Sequence, residues 1–259
     1  MTVALPFLFV VLLWWGGTGA LILLARAAER ADRGLLLPVA TMVALGAGAA
    51  AVALRDMGGA PGAYLGFTVG IVLWAWHELA FLSGAVTGPI RVACPPDRNG
   101  LARFRHAVGT ILHHELALAA TLAFLALVSV GASNAMAFLT FLALWGMRLS
   151  AKLNLFAGVP NPNDHLFPPR LAHLASLVPP RRMSWLLPVS LGGIALLTLV
   201  LFHQANVSST PGSRTALFLL GSLAALGGLE HLAMGIRFRL EALWSAWGWK
   251  PAPEAAEDG

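Results

Sequence analysis

Three apolar stretches of this chain carry an imidazole beside a carboxylate: His77-Glu78, His113-His114-Glu115 and Glu230-His231. A fourth carries Arg148 and Lys152, four residues apart and so on one face of a helix. An ionisable side chain at mid-bilayer costs about 2.5–3.5 kcal/mol on insertion scales, so each of these residues needs a reason to be there. Three kinds of chemistry supply one. The first is structural: Arg148 pairs with one of the glutamates, the histidines hydrogen-bond across helices, and the network fixes packing. Interhelical hydrogen bonds average only about 0.6 kcal/mol, so this reading accounts for specificity better than for stability.

The second is a cofactor site. Imidazole is a common axial ligand of a tetrapyrrole metal, and mixed Glu and His ligands also hold transition metals, as in di-iron bundles. The di-metal version expects Glu-x-x-His, which puts both ligands on one helix face. Here the two residues are adjacent, about 100° apart around the axis, and point at one metal only with difficulty. The third is a proton or solute path, since Glu and His are standard relay parts. No inverted repeat or pair of broken helices accompanies it. A retinal Schiff base is excluded more firmly. The only lysines are Lys152 and Lys250, neither within the last apolar run. No Walker, Rossmann, GxSxG or HExxH pattern occurs.

The elements that must position these groups are membrane spans. Apolar residues make up 58% of the chain and charged residues 11%, and mean hydropathy is +0.74. A soluble domain carries about 25% charged residues. The chain is therefore an all-α, polytopic membrane protein in one domain, 1–259. Crossing the hydrocarbon takes roughly 20 apolar residues, and seven runs qualify: 3–25, 35–54, 63–86, 107–131, 135–151, 186–203 and 215–236. The first is too long and lacks the basic start expected of a cleavable signal peptide. The single cysteine, Cys94, rules out an internal disulfide and a multi-cysteine metal site, and shows no partner histidine at catalytic spacing.

Basic residues alternate with the spans. Arg26, Arg30 and Arg33, then Arg91 to Arg105, then Arg148 to Arg182, then Arg237, Arg239 and Lys250 fall on one side, against Arg55 and Arg214 on the other. The positive-inside rule puts the N-terminus outside and the C-terminus in the cytoplasm. It also explains the sequence pI near 10.6 without a nucleic-acid partner; the partner it calls for is the lipid bilayer.

The longest inner connection, 152–185, contains Pro168-Pro169 and Pro179-Pro180, with Leu171, Leu174, Leu177 and Val178 between them. A short interfacial helix is expected there. In the tail, 240–259, Trp244, Trp247 and Trp249 read as headgroup anchors. Gly66 and Gly70 form a GxxxG, and Trp14, Trp15, Trp74, Trp76 and Trp145 lie inside spans; both features read first as helix packing. His-Glu-Leu-Ala occurs at 77–80 and again at 114–117, too short to count as a repeat.

Two stretches are distinctive together. One is His77-Glu78-Leu79-Ala80-Phe81-Leu82-Ser83-Gly84, continuing through Thr87-Gly88-Pro89 to Cys94-Pro95. The other is Arg148-Leu149-Ser150-Ala151-Lys152-Leu153-Asn154-Leu155-Phe156-Ala157-Gly158-Val159-Pro160-Asn161. With the seven-span layout, they make the chain resemble the photosynthetic complex assembly protein 2 family, PuhE, over nearly its whole length. The segment from Asp164 to Val178 departs from the family's more aromatic pattern.

The resemblance implies an assembly factor for the bacterial reaction centre and light-harvesting complex, or a modulator of bacteriochlorophyll supply, in the cytoplasmic or intracytoplasmic photosynthetic membrane. Partners would be reaction-centre or light-harvesting polypeptides, or pigment-synthesis enzymes. The family carries no established catalytic residues, so none are transferred. A bacteriochlorophyll or precursor is the implied cofactor, and the candidate contacts are His77, Glu78, His113, His114, Glu115, Arg148, Glu230 and His231. In the sharpest version His77, His114 and His231 meet the pigment, and Glu78, Glu115 and Glu230 orient them by accepting hydrogen bonds. A membrane enzyme of pigment synthesis with a Glu/His metal site is the alternative; a proton-coupled transporter comes third.

Overall fold

Within hydrocarbon, a peptide group must find its partner inside its own segment, so each apolar run folds as a helix. The computed structural model describes residues 4–30, 35–162, 168–179 and 182–236. The helices are α1 (Ala4–Arg30), α2 (Leu36–Ala53), α3 (Gly59–Leu82), α4 (Gly100–Ser129), α5 (Met136–Ala157), α6 (Leu186–Val207) and α7 (Pro211–Gly235). Six of these, α2 to α7, are long and apolar enough to cross a membrane, and α1 adds an apolar stretch over Ala4–Ala20. The chain is a polytopic, all-helical membrane protein.

Helix ends differ from the apolar runs where charge and glycine intervene. α4 starts at Gly100, seven residues before its apolar run, and carries Arg103 and Arg105 in its first turns. α5 runs on through Lys152 to Ala157, where Gly158 at φ +111° ends it. α3 stops at Leu82, and Gly84 at φ +75° turns the chain. Only glycine adopts such angles without strain.

α3 is the hub. It packs on α5, α7, α2 and α1, and more lightly on α4. The GxxxG is what brings α5 close: a Cβ added at Gly66 would lie 2.8 Å from Met136 Cβ, and one at Gly70 would lie 2.8 Å from Thr140 Cβ. Phe67, Trp74, Phe141, Leu144, Leu219 and Leu223 fill the space between α3, α5 and α7. α6 lies outside this body, packed mainly on α7.

The turns after α2 and α4 meet at one end of the bundle. There Arg55 donates to the Val130 carbonyl at 2.9 Å, and Asn134 donates to the Leu54 and Gly62 carbonyls. The start of α4, the end of α5 with the segment after it, and the end of α7 meet at the other end: Arg103 donates to the carbonyls of Phe156 and Leu177, and Asn161 N–H to that of Met234. Alternation of the loops therefore holds in three dimensions.

The short inner helix is present but differs from expectation. It is a 3-10 helix, Pro169–Leu177, with Leu171, Leu174 and Leu177 buried. Spacing of three repeats on one face of a 3-10 helix, which has three residues per turn. These leucines cover Phe81, with Leu82, Cys94, Ala107 and Ile111 around them, so the segment docks on the protein. The tail 240–259, with Trp244, Trp247 and Trp249, and the acidic Asp164 lie outside the described residues.

Candidate functional site

Adjacent residues on a helix diverge by about 100°, and each imidazole–carboxylate pair is split accordingly. On α3, Glu78 Oε2 accepts from Arg148 Nη2 of α5 at 3.0 Å. His77 turns instead to α4, sharing a 2.8 Å hydrogen bond between Nε2 and Thr121 Oγ1. On α4, Glu115 takes Lys152 Nζ and the Trp145 indole, both from α5. His114 points inward against Phe81, with ring centroids 4.6 Å apart, and stands 6.4 Å from His77. On α7, Glu230 Oε1 accepts from the Trp14 indole of α1 at 2.8 Å. His231 Nδ1 meets the Gly227 carbonyl at 2.8 Å and Nε2 meets Ser150 Oγ at 3.0 Å. His113 is exposed on α4 and joins none of these contacts.

Glutamates thus go to cations and indoles, and hydroxyls go to histidines. The expected arrangement, in which Glu78, Glu115 and Glu230 orient the neighbouring imidazoles, is not the one the helices produce. The polar residues of the Arg148–Asn161 stretch reach four different helices. Arg148 goes to α3, Ser150 and Asn161 to α7, Lys152 to α4, and Asn154 to Ser190 of α6. α5 is the polar spine of the bundle.

His114 stands apart. It is fully buried, and neither ring nitrogen has a partner. Close to it, His77 Nδ1 and Thr87 Oγ1 are also buried without partners. A buried polar group left unmade costs about 1–3 kcal/mol. The position of His114 is fixed from outside its helix: its backbone N–H donates to the Thr87 carbonyl at 2.8 Å, and the Ile90 N–H donates to the Gly109 carbonyl at 3.1 Å. The Thr87-Gly88-Pro89 stretch is therefore a loop laid along the backbone of α4. Gly88 makes this possible, since a Cβ there would fall 2.1 Å from the Gly109 oxygen.

The remaining carboxylates define a cavity of about 210 Å³ between α1, α3, α5 and α7, lined by Trp14, Thr18, Trp74, Glu78, Arg148 and Glu230 among apolar side chains. Thr87, Thr121 and Trp14 are site residues that no sequence pattern distinguishes from packing residues. Among the described residues no three His, Cys, Asp or Glu side chains converge as a metal site.

A tetrapyrrole metal needs an imidazole nitrogen with a free lone pair. His231 has both nitrogens engaged and does not offer one. His77 offers Nδ1, and His114 offers either nitrogen. These two fit the donor chemistry, in a seam where α4 is only lightly held to α3.

The chain matches the model of a family described as a protein of unknown function, DUF3623, over residues 1–256. It is 37% identical over 252 residues to a Rhodobacter capsulatus protein described as an uncharacterized 30.4 kDa protein in the puhA 5' region. That match covers 94% of this chain and 89% of the relative. No solved structure matches it.

Proposed function

The chain belongs to the DUF3623 family, and we propose that it is a non-catalytic assembly factor of the bacterial photosynthetic membrane that handles a bacteriochlorophyll or a precursor through His114. The setting is supported by the name of the Rhodobacter capsulatus relative, a protein of the puhA 5' region. The observation that carries the reading is the His114 ring, wholly buried with both nitrogens unpartnered. Buried polar groups are hydrogen-bonded as a rule, and an exception of this kind points to a partner that comes and goes. His114 would supply the axial nitrogen, and His77, held by Thr121, would stand beside it. A bound pigment would supply a central metal open to a fifth ligand. Handing such a ligand on is consistent with a site in the seam between α3 and α4, which pack only lightly on each other.

The test is the visible and near-infrared absorption spectrum of the protein purified in mild detergent from a pigment-producing host. The expected result is tetrapyrrole bands that disappear in His114→Ala and weaken in His77→Ala, with lowered cellular pigment and unchanged protein in the membrane. A colourless wild type, or unaltered bands in the His77→Ala/His114→Ala double variant, overturns it.

A further inference from the structure

The cavity on the other side of α3 uses none of the histidines, and its polar groups are only partly satisfied. Glu78 and Arg148 share one hydrogen bond, Oε2 to Nη2. Arginine and carboxylate commonly make two in parallel. Here Glu78 Oε1 and Arg148 Nε are both buried without partners, although both residues line the cavity. One atom is an acceptor and the other a donor, and both belong to the same ion pair. A hydroxyl group has the chemistry to serve either one, giving its proton to the carboxylate or accepting from the guanidinium N–H.

The surrounding charge narrows the guest. Among the described residues the lining holds two carboxylates, Glu78 and Glu230, and one guanidinium. Such a setting repels an anionic head and favours a neutral group that donates. The walls narrow it further. Apart from these groups and Thr18, they are apolar, and include Leu13, Ile71, Leu144, Met147 and the rings of Trp14 and Trp74. Roughly 210 Å³ of space with such walls is too apolar to be a natural home for a chain of waters, each needing two to four polar partners. The Arg148 side chain, 40% exposed, has room to swing and admit a guest. We propose that the Glu78–Arg148–Glu230 cavity binds a membrane-dissolved molecule with a hydroxyl head and an apolar body.

The experiment uses the full-length protein in nanodiscs and hexadecanol carrying a diazirine. Saturable photolabelling of the peptides containing Trp14 or Glu78 is expected, displaced by excess hexadecanol or a benzoquinol and not by palmitic acid. Whichever of the two displaces at lower concentration distinguishes an aliphatic alcohol from a phenol. Gly17→Leu fills the cavity from α1, where a Cβ meets nothing within 4 Å, and abolishes labelling. Ala75→Phe fills it from α3 and serves if the first variant does not fold. Glu78→Leu weakens labelling about tenfold or more, the value of one hydrogen bond to a charged group. Labelling that does not saturate, equal displacement by palmitic acid, or full labelling in both cavity-filled variants overturns the proposal. Neither filled position touches His77 or His114, so the result stands apart from the pigment spectrum.

Discussion

His114 and Thr87 are joined backbone to backbone: the N–H of the one, in the middle of α4, donates to the carbonyl of the other at 2.8 Å. A helix interior has no need of such a bond, since its own ladder already supplies one. The loop after α3 is thereby fixed to the helix at the residue with the unpartnered imidazole, and the loop's placement and that of the ring are one problem.

Gly88→Ala tests this attachment. The new Cβ would fall within 3 Å of three backbone atoms of α4, from Gly109 to Ile111, which cannot yield as a side chain can. Overpacking of this kind costs about 1–3 kcal/mol or more. A clear fall in melting temperature in detergent is expected, together with loss of any pigment bands. Gly192→Ala on α6, where the added carbon meets nothing within 4 Å, is the control and leaves both unchanged.

The Lys152–Glu115 pair is buried from both sides, with side chains 17% and 19% exposed. Removing one member strands the other, which costs about 3–5 kcal/mol for a buried pair, whereas replacing both by apolar groups is often nearly neutral. Lys152→Met is expected to reduce stability sharply, and Glu115→Leu/Lys152→Met to recover most of it. Equal melting temperatures for the single and double variants would show that the pair is not coupled.

His173, on the docked 3-10 helix, has its imidazole pushed below the ordinary value of 6.5, chiefly by burial and further by Arg91 and His106, against a hydrogen bond with the Arg170 backbone. The folded form resists a proton that the undocked form accepts. The docked state therefore keeps its full contribution above about pH 6.5 and loses it as pH falls below that value toward the lowered one. Amide exchange across residues 169–178, corrected for intrinsic rates, is expected to quicken between about pH 7.5 and 5.5. His173→Gln removes the dependence; an unchanged slope in that variant refutes the assignment.

Orientation is testable through the one cysteine. Cys94 lies in the segment between α3 and α4, on the basic side of the bundle. A membrane-impermeant maleimide is expected to label it in inverted vesicles and to spare it in intact spheroplasts. Asp56→Cys in a Cys94→Ser background shows the reverse. Labelling of Cys94 from outside would invert the topology.

The spans were legible because hydrophobic thickness imposes a length, and the alternation of arginines sets the orientation that the cysteine labelling tests. Pairing within the polar cluster was not. Glu78 and His77 are neighbours in the chain, yet they serve different helices, and which side each faces depends on how α3 is rotated by Gly66 and Gly70 against α5. Arg148 and Lys152 were expected on one face and do lie on one helix, but α3 and α4 divide them. His106, in the first turns of α4, is buried and bonded to Val92 and Arg98 because the loop folds back over it. Backbone attachment of that loop leaves no trace in hydropathy, and only the Thr87-Gly88-Pro89 string signals it. The 3-10 helix was visible as a leucine period, and its period of three was the clue to what it is.

α5 delivers the cations for two helices that precede it in the chain. During synthesis α3 and α4 reach the bilayer first, bearing Glu78 and Glu115 with Arg148 and Lys152 still to be made. The Thr87–His114 bond can already lock the early hairpin together, while its two acids remain uncompensated at a cost of a few kcal/mol each. Assembly accordingly has a direction: the two acids of the hairpin have no cation to meet until the fifth helix is made.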